Sequence, residues 1–287
     1  MARLDSPGAL EAALRREPPP AILDVRGVDA FAAAHVAKSG HVPADELPWR
    51  LHELPFRRDE PLVVLGDDRS LDAAAALLAE EGFTGLLAAP FDDARAASLP
   101  IERGERAERL WSPTRWVEES LPFLESARGL GPVLDLACGN GRNAVFLALR
   151  GFDAIGCDVL ESALDRTRAL ARSSGVRVGT WLVDLERDER PLAQGAFGAI
   201  VVLNYLHRPL AGSIRDAVVP GGVVVYETFT TEQRRLFGKP RRPRFLLEPG
   251  ELPRLFFGFE ILAAREAVEP GRAVASLVAR RPRRDRV

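Results

Sequence analysis

The sequence predicts an α/β protein of two domains, and three observations predict it. At 287 residues the chain is too long for one typical domain and about right for two. Short apolar strands alternate with helical stretches through the first hundred residues, stop at a polar stretch, and resume from Pro132. The charge divides near the same place. Through Glu108 there are 12 basic and 20 acidic residues, net −8, and beyond it 27 and 21, net +6.

Composition narrows the class. A hydrophobic fraction of 46% suits a globular chain with full cores. No apolar run approaches the roughly 20 residues that span a bilayer, and the first residues lack a secretory apolar stretch, so no membrane partner is expected. Two cysteines, Cys138 and Cys157, make no disulfide framework, and a reducing cytoplasm is the expected compartment. Of 39 basic residues 37 are arginine, a compositional bias that weakens any single arginine as a functional signal. A net +6 on the second half is too mild to mark a nucleic-acid binder.

The first domain is expected over residues 1–100. AILDV at 21–25 reads as a short buried strand, followed by a helical stretch near 29–37. PLVVLG at 61–66 is a second strand, LDAAAALLAEEG a helix that Gly82 closes, and GLLAA at 85–89 a third strand. A linker follows at 101–110. The second domain, 111–287, opens with WSPTRWVEESLPFLES, a helix that Ser112 can cap with Pro113 in its first turn. VLDLA, FDAIGCD, VRVGTWLVD, AIVVLNY and VVVYETF are five strand candidates with helical segments between the earlier ones. FEILAAREAV and RAVASLVAR flank Glu269-Pro270-Gly271, which signals a hairpin, not another crossover.

VLDLACGNGRNAVFLALRG carries most of the chemistry. Gly139 and Gly141 form a glycine turn between strand and helix, where backbone must approach a ligand that side chains would obstruct. Asp135, inside the strand, can face a ligand amino group. Asp158 ends the second strand, 17 residues after Gly141, where a carboxylate can accept from both ribose hydroxyls. Asp184, at the end of the third, can receive an adenine amino group. Three carboxylates at successive strand ends suit a nucleoside with a cationic amino-acid tail.

DLACGNGR, with Asp158, Asp184 and Pro220-Gly221-Gly222 in order, resembles the class I S-adenosylmethionine (SAM) methyltransferases. The resemblance covers about residues 111–279. It implies a Rossmann-like sheet closed by an antiparallel C-terminal hairpin, with SAM as cofactor. Asp135, Gly139 and Gly141 would meet the methionine part, Asp158 the ribose, and Asp184 with Leu185 the adenine, with Asn204 beside them. Cys138 reads either as a reactive thiol or as a small residue that lets the turn close.

Methyl transfer needs an acceptor held in line, and a base where the acceptor must lose a proton. Asn204, Tyr205, His207 and Arg208 after strand four, and Glu227 after VVVY, form a polar set at the strand ends. Tyr205 belongs to that set as a candidate, His207 could be a base, Arg208 an anion clamp and Glu227 a base. No [DN]PP[YF] follows strand four and no paired acids mark a magnesium site, so no metal is expected. Residues 234–244 hold six basic residues broken by Gly238, Pro240 and Pro243; this reads as a loop in the position of a substrate lid. The expected function is methylation of a small-molecule acceptor, which can be anionic. Chalcogen or thiol methylation, in the style of tellurite resistance, is the alternative, and a non-catalytic SAM-binding regulator a further one.

In the first domain, ILDVR with Asp24 and Arg26, and His41-Val42-Pro43, resemble the rhodanese family. That family's catalytic cysteine follows the central strand, where this chain has Gly66 and a short Gly66-Asp67-Asp68-Arg69-Ser70 turn. The resemblance implies a rhodanese-like domain without sulfur transfer, free to dock a protein partner.

Overall fold

The computed structural model describes residues 2–4, 6–97, 99–187 and 191–283, and divides into two compact units, residues 1–112 and 113–287. The first unit holds strands β1 (Ala2–Arg3), β2 (Ala21–Asp24), β3 (His35–Val36), β4 (Ser39–His41), β5 (Leu62–Gly66), β6 (Leu86–Pro90) and β7 (Ile101–Glu102). Five of them make a parallel sheet in the order β1-β6-β5-β2-β4, and β3 pairs antiparallel with β7. Along β5, Leu62 and Val64 enter one core and Val63 and Leu65 the other, so both faces are covered and the strand reads as a continuous apolar run.

The expected linker is part of this unit. Ile101–Glu102 is strand β7, Gly104 N–H donates to Ala32 O, Glu108 N–H donates to Ser39 O, and Leu110 packs on the core. Polar composition concealed these contacts because backbone groups make most of them. The true break lies between Ser112 and Pro113.

Gly66, at the nucleophile position of the rhodanese pattern, is closed in. A Cβ there would lie 2.6 Å from Ser70 Oγ and 2.9 Å from Val25 Cγ2. Asp67 caps the helix Asp68–Glu80 and exchanges hydrogen bonds with Ser70, so the turn passes straight into helix. Asp24 and Arg26 form a buried bidentate pair, and His41 Nε2 contacts Arg26 O. These motif residues hold the fold together.

The second unit holds β8 (Val133–Leu136), β9 (Ala154–Asp158), β10 (Gly179–Leu182), β11 (Phe197–Leu203), β12 (Val218–Phe229), β13 (Glu260–Glu269) and β14 (Arg272–Arg280), in the order β10-β9-β8-β11-β12-β14-β13. The first five are parallel; β14 runs antiparallel to both neighbours, joined to β13 by the Pro270-Gly271 turn. The expected Rossmann-like sheet with its closing hairpin is therefore the observed one. Strand order reverses direction between β8 and β11, and a crevice opens outside the carboxyl ends at such a switch point.

Two helical expectations need correction. The opening helix is two short ones, Arg115–Glu119 and Leu121–Glu125, broken at Ser120 before Pro122, and the first begins after Thr114 instead of Ser112. The basic segment 234–244 is not a loop throughout. Thr231–Phe237 is helical and Gly238, at φ +75°, ends it; Pro243–Phe245 is a turn of 3₁₀ helix. Gly238 acts as a helix terminator here, and its breaking effect reaches only the residues that follow it.

Candidate active site

The candidate site is built around the turn after β8. Ala137, Gly139 and Gly141 all have positive φ (55°, 57° and 74°), which folds the chain back onto the helix Arg142–Leu149. Asp158, at the end of β9, pins this turn. Its Oδ2 accepts from Gly139 N–H at 3.0 Å and its Oδ1 from Leu160 N–H at 3.0 Å. The single Thr167 Oγ–H lies within reach of Ala163 O at 3.1 Å and Gly139 O at 3.3 Å. Gly139 itself has nothing within 4 Å of where a Cβ would stand, so the turn presents bare backbone to open space.

Asp135 lies beneath. It is 2% exposed and accepts from Ala144 N–H at 3.0 Å. Burial pushes its carboxyl up from 3.8 to about 7, against the Ala144 hydrogen bond and the nearby Arg142 guanidinium; the Asp158 charge adds to the rise. A folded pKa above the unfolded one gives stability that is complete below about pH 4 and is lost as pH rises through about 7. Asn can keep the Ala144 hydrogen bond without the charge. Asp135→Asn should therefore gain on wild type, ligand-free, by several degrees of Tm between pH 5 and pH 8. A difference that stays flat over that range would contradict it.

Asp184 stands two residues beyond β10, not within it; it is exposed and its Oδ1 accepts from Glu186 N–H. Leu185 is buried in the main core. Asn204 follows β11 at φ 55°, exposed, its N–H donating to Glu227 O. Asp158, Asp184 and Asn204 thus end or follow neighbouring strands at their carboxyl ends, with Asp135 inside β8 one residue from its end.

The four residues expected to work on the acceptor divide. Tyr205 has a buried hydroxyl with no hydrogen-bond partner among the described residues. Burial and the carboxylates of Glu186 and Asp184 push that hydroxyl's pKa up. His207 is half-buried where the chain turns into the helix Leu210–Ala217. Arg208 is not the free anion clamp expected of it. It pairs bidentately with Glu251 and donates to Arg244 O (3.0 Å) and Leu246 O (2.8 Å). Glu227 likewise is not a free base: Arg272 holds Oε1 and Ser276 Oγ donates to Oε2 at 2.7 Å. Cys138 is buried, and burial drives its thiol pKa well up, so it is the small turn residue and not a reactive thiolate.

Sequence reasoning missed three residues. Buried Asn143 accepts from Thr114 N–H at 2.8 Å, and Arg142 Nη2 donates to Thr114 Oγ at 3.1 Å, tying the opening segment to the glycine turn. Asn143, polar amid the apolar face of GRNAVF, was the available signal. Among the described residues no helix is long and apolar enough to cross a membrane, and no three His, Cys, Asp or Glu side chains group as metal ligands.

Comparison with known proteins matches residues 6–88 to the rhodanese-like domain family and residues 133–222 to a methyltransferase domain family. The putative methyltransferase YqeM of Bacillus subtilis is 35% identical over 99 residues, 32% of this chain and 36% of that protein. An uncharacterised protein of Schizosaccharomyces pombe is 27% identical over 178 residues, 56% of this chain and 51% of its own length. The 2-heptyl-1-hydroxyquinolin-4(1H)-one methyltransferase of Mycobacteroides abscessus is 31% identical over 111 residues, 37% of this chain and 48% of that protein. The chain spans between about a third and a half of the length of these relatives.

Proposed function

We propose that this chain, which carries a methyltransferase domain behind a rhodanese-like one, transfers a methyl group from SAM to a small-molecule acceptor. The observation that carries the reading is the pinned turn at the switch point, where Asp158 fastens Gly139 and Asp135 waits underneath. SAM fits this donor set: its ammonium and sulfonium are cationic, its ribose and adenine offer hydroxyl and amino donors, and three carboxylates ring the crevice. When bound it supplies an electrophilic methyl.

The chain's residues do the rest by holding and orienting. Asp135 gains a cationic partner that favours its ionised form, and Asp158 takes the ribose hydroxyls. Asp184 with Leu185 borders the adenine, and Gly139 and Gly141 keep side chains out of the path. Arg142, whose charge acts on Asp135, is held to Thr114 Oγ at 3.1 Å and so helps fix the turn. Tyr205 turns its unpartnered hydroxyl to this side, close to the acids. It is the member of the acceptor set best placed to orient a polar group.

A small acceptor is favoured by the segment from Thr230 to Leu247, whose base is closed by pairing between those two residues. Its tip, with Lys239, Arg241 and Arg242 exposed, favours an anionic acceptor. One relative is named for methylating a small heteroaromatic molecule, which agrees. The rhodanese-like domain, closed at Gly66, serves in this reading as a docking module for a protein partner. Incubating the full chain with methyl-labelled SAM and a small-molecule extract should label discrete low-mass products. Tight SAM binding without any product would favour a regulator instead, and no SAM binding would end the reading.

A further inference from the structure

Glu227 lies at the centre of a polar knot outside the residues assigned to the cofactor. Residues in register share a face, and alternate residues return to it. Asp135, Val201 and Val225 are in register across β8, β11 and β12, and two positions further on Leu203, Glu227 and Ser276 are in register across β11, β12 and β14. Glu227 therefore faces the same side as Asp135, one step nearer the carboxyl ends. Arg265, in register with Ser276 on β13, brings its Nη2 to 3.9 Å from Glu227 Oε2, and Arg272 holds Oε1. The Arg265 guanidinium also sits 4.7 Å over the buried Trp116 ring and 3.1 Å from Glu119.

Two donors in this knot have no acceptor. The Nε atoms of Arg265 and Arg272 are both buried and lack a hydrogen-bond partner among the described residues. Buried donors are nearly always satisfied, and a guanidinium left short marks a place for a missing group. The side chains remain open on their outer side, Arg265 by 32% and Arg272 by 23%. There Glu269 already pairs with Arg265 by charge at 3.6 Å, longer than a proper hydrogen bond.

We propose that Arg265 and Arg272, braced from below by Glu227 and walled by Trp116, form an oxyanion site that holds a carboxylate or similar acidic group of the methyl acceptor. Glu227 is then a positioning residue. It fixes the Arg272 guanidinium plane at the carboxyl end of β12 and draws Arg265 by charge alone from 3.9 Å, and the acceptor's oxyanion accepts from their open edges. This rests on the methyltransferase reading and adds to it which residues recognise the acceptor. The exposed arginines of the 238–242 tip, with no buried partner among the described residues to orient them, would act at longer range.

The test uses the full chain saturated with S-adenosylhomocysteine, following the Nε–H resonances of Arg265 and Arg272 while acetate is added. Both should shift saturably, and in Arg272→Gln the acetate affinity read at Arg265 should fall about tenfold, one charge-assisted contact's worth. Resonances that stay still, or that move equally with chloride at matched ionic strength, would overturn the site. If Arg272→Gln does not fold, Arg265→Gln gives the mirror comparison at a more exposed position. Calorimetry on the same samples should show cofactor affinity unchanged by either substitution. Loss of cofactor binding in wild type would instead sink the methyltransferase reading and leave the acetate result standing on its own. In the labelled-SAM assay, methyl found solely on acceptors without an acidic group would also overturn the proposal.

Discussion

Asp158→Ala is expected to weaken SAM binding by about 2–4 kcal/mol, roughly 30- to 1,000-fold. The residue does two jobs with one carboxylate. It would accept from the ribose, and it already accepts from Gly139 N–H and Leu160 N–H, so it shapes the turn that receives the ligand. Truncation removes the ligand contact and releases both backbone donors in a site that is 9% exposed. Asp158→Asn retains one acceptor oxygen and should lose less, because either the turn or the ribose can still be served. Calorimetry of the three proteins decides the matter. Equal affinity for wild type and Ala would show that the ribose lies elsewhere.

The second large effect separates folding from binding within one turn. At Gly141 a Cβ would stand 2.4 Å from both Thr167 Cγ2 and Thr167 Oγ, at φ +74°. Left-handed backbone costs an L-residue about 1–2 kcal/mol and overpacking about 1–3 more, so Gly141→Ala should destabilise the unit by about 2–5 kcal/mol. At Gly139 the backbone is also left-handed, but nothing lies within 4 Å of the missing Cβ. Gly139→Ala should therefore cost about 1–2 kcal/mol in stability, from strain alone. Its methyl would occupy the open space that the methionine part needs, so its SAM affinity should fall far more than its stability does. Adding Thr167→Ala to Gly141→Ala should restore part of the stability by removing the clash, with the strain left behind. Denaturant unfolding beside calorimetry reads both quantities. If Gly139→Ala binds SAM as wild type does, the ligand does not pass over this turn.

The parts of the molecule visible in the sequence are those with a local physical cause. Alternating apolar strands and helices declare the α/β class because period and length are properties of neighbouring residues. The glycines at 139 and 141, Asp135 and Asp158 were readable because a tight turn of left-handed backbone pinned by carboxylates restricts residue type at each step. Glu269-Pro270-Gly271 announced the hairpin for the same reason. The fates of Glu227 and Arg208 had no local cause. Glu227 meets Ser276 from 49 residues away and Arg208 meets Glu251 from 43, and strand order alone brings such pairs together. Their charges looked catalytic in the sequence because a charge at a strand end needs a reason, and the reason given by the fold is a partner. Residues 101–110 looked like a linker because their polar side chains hide backbone hydrogen bonds that hold them to the first unit. The sequence by itself determined the two α/β domains, the glycine turn after β8 and the acids around it. Only the tertiary structure decided which charged groups are already engaged and which donors remain to be satisfied, because hydrogen-bond satisfaction depends on what lies across the fold and not along the chain.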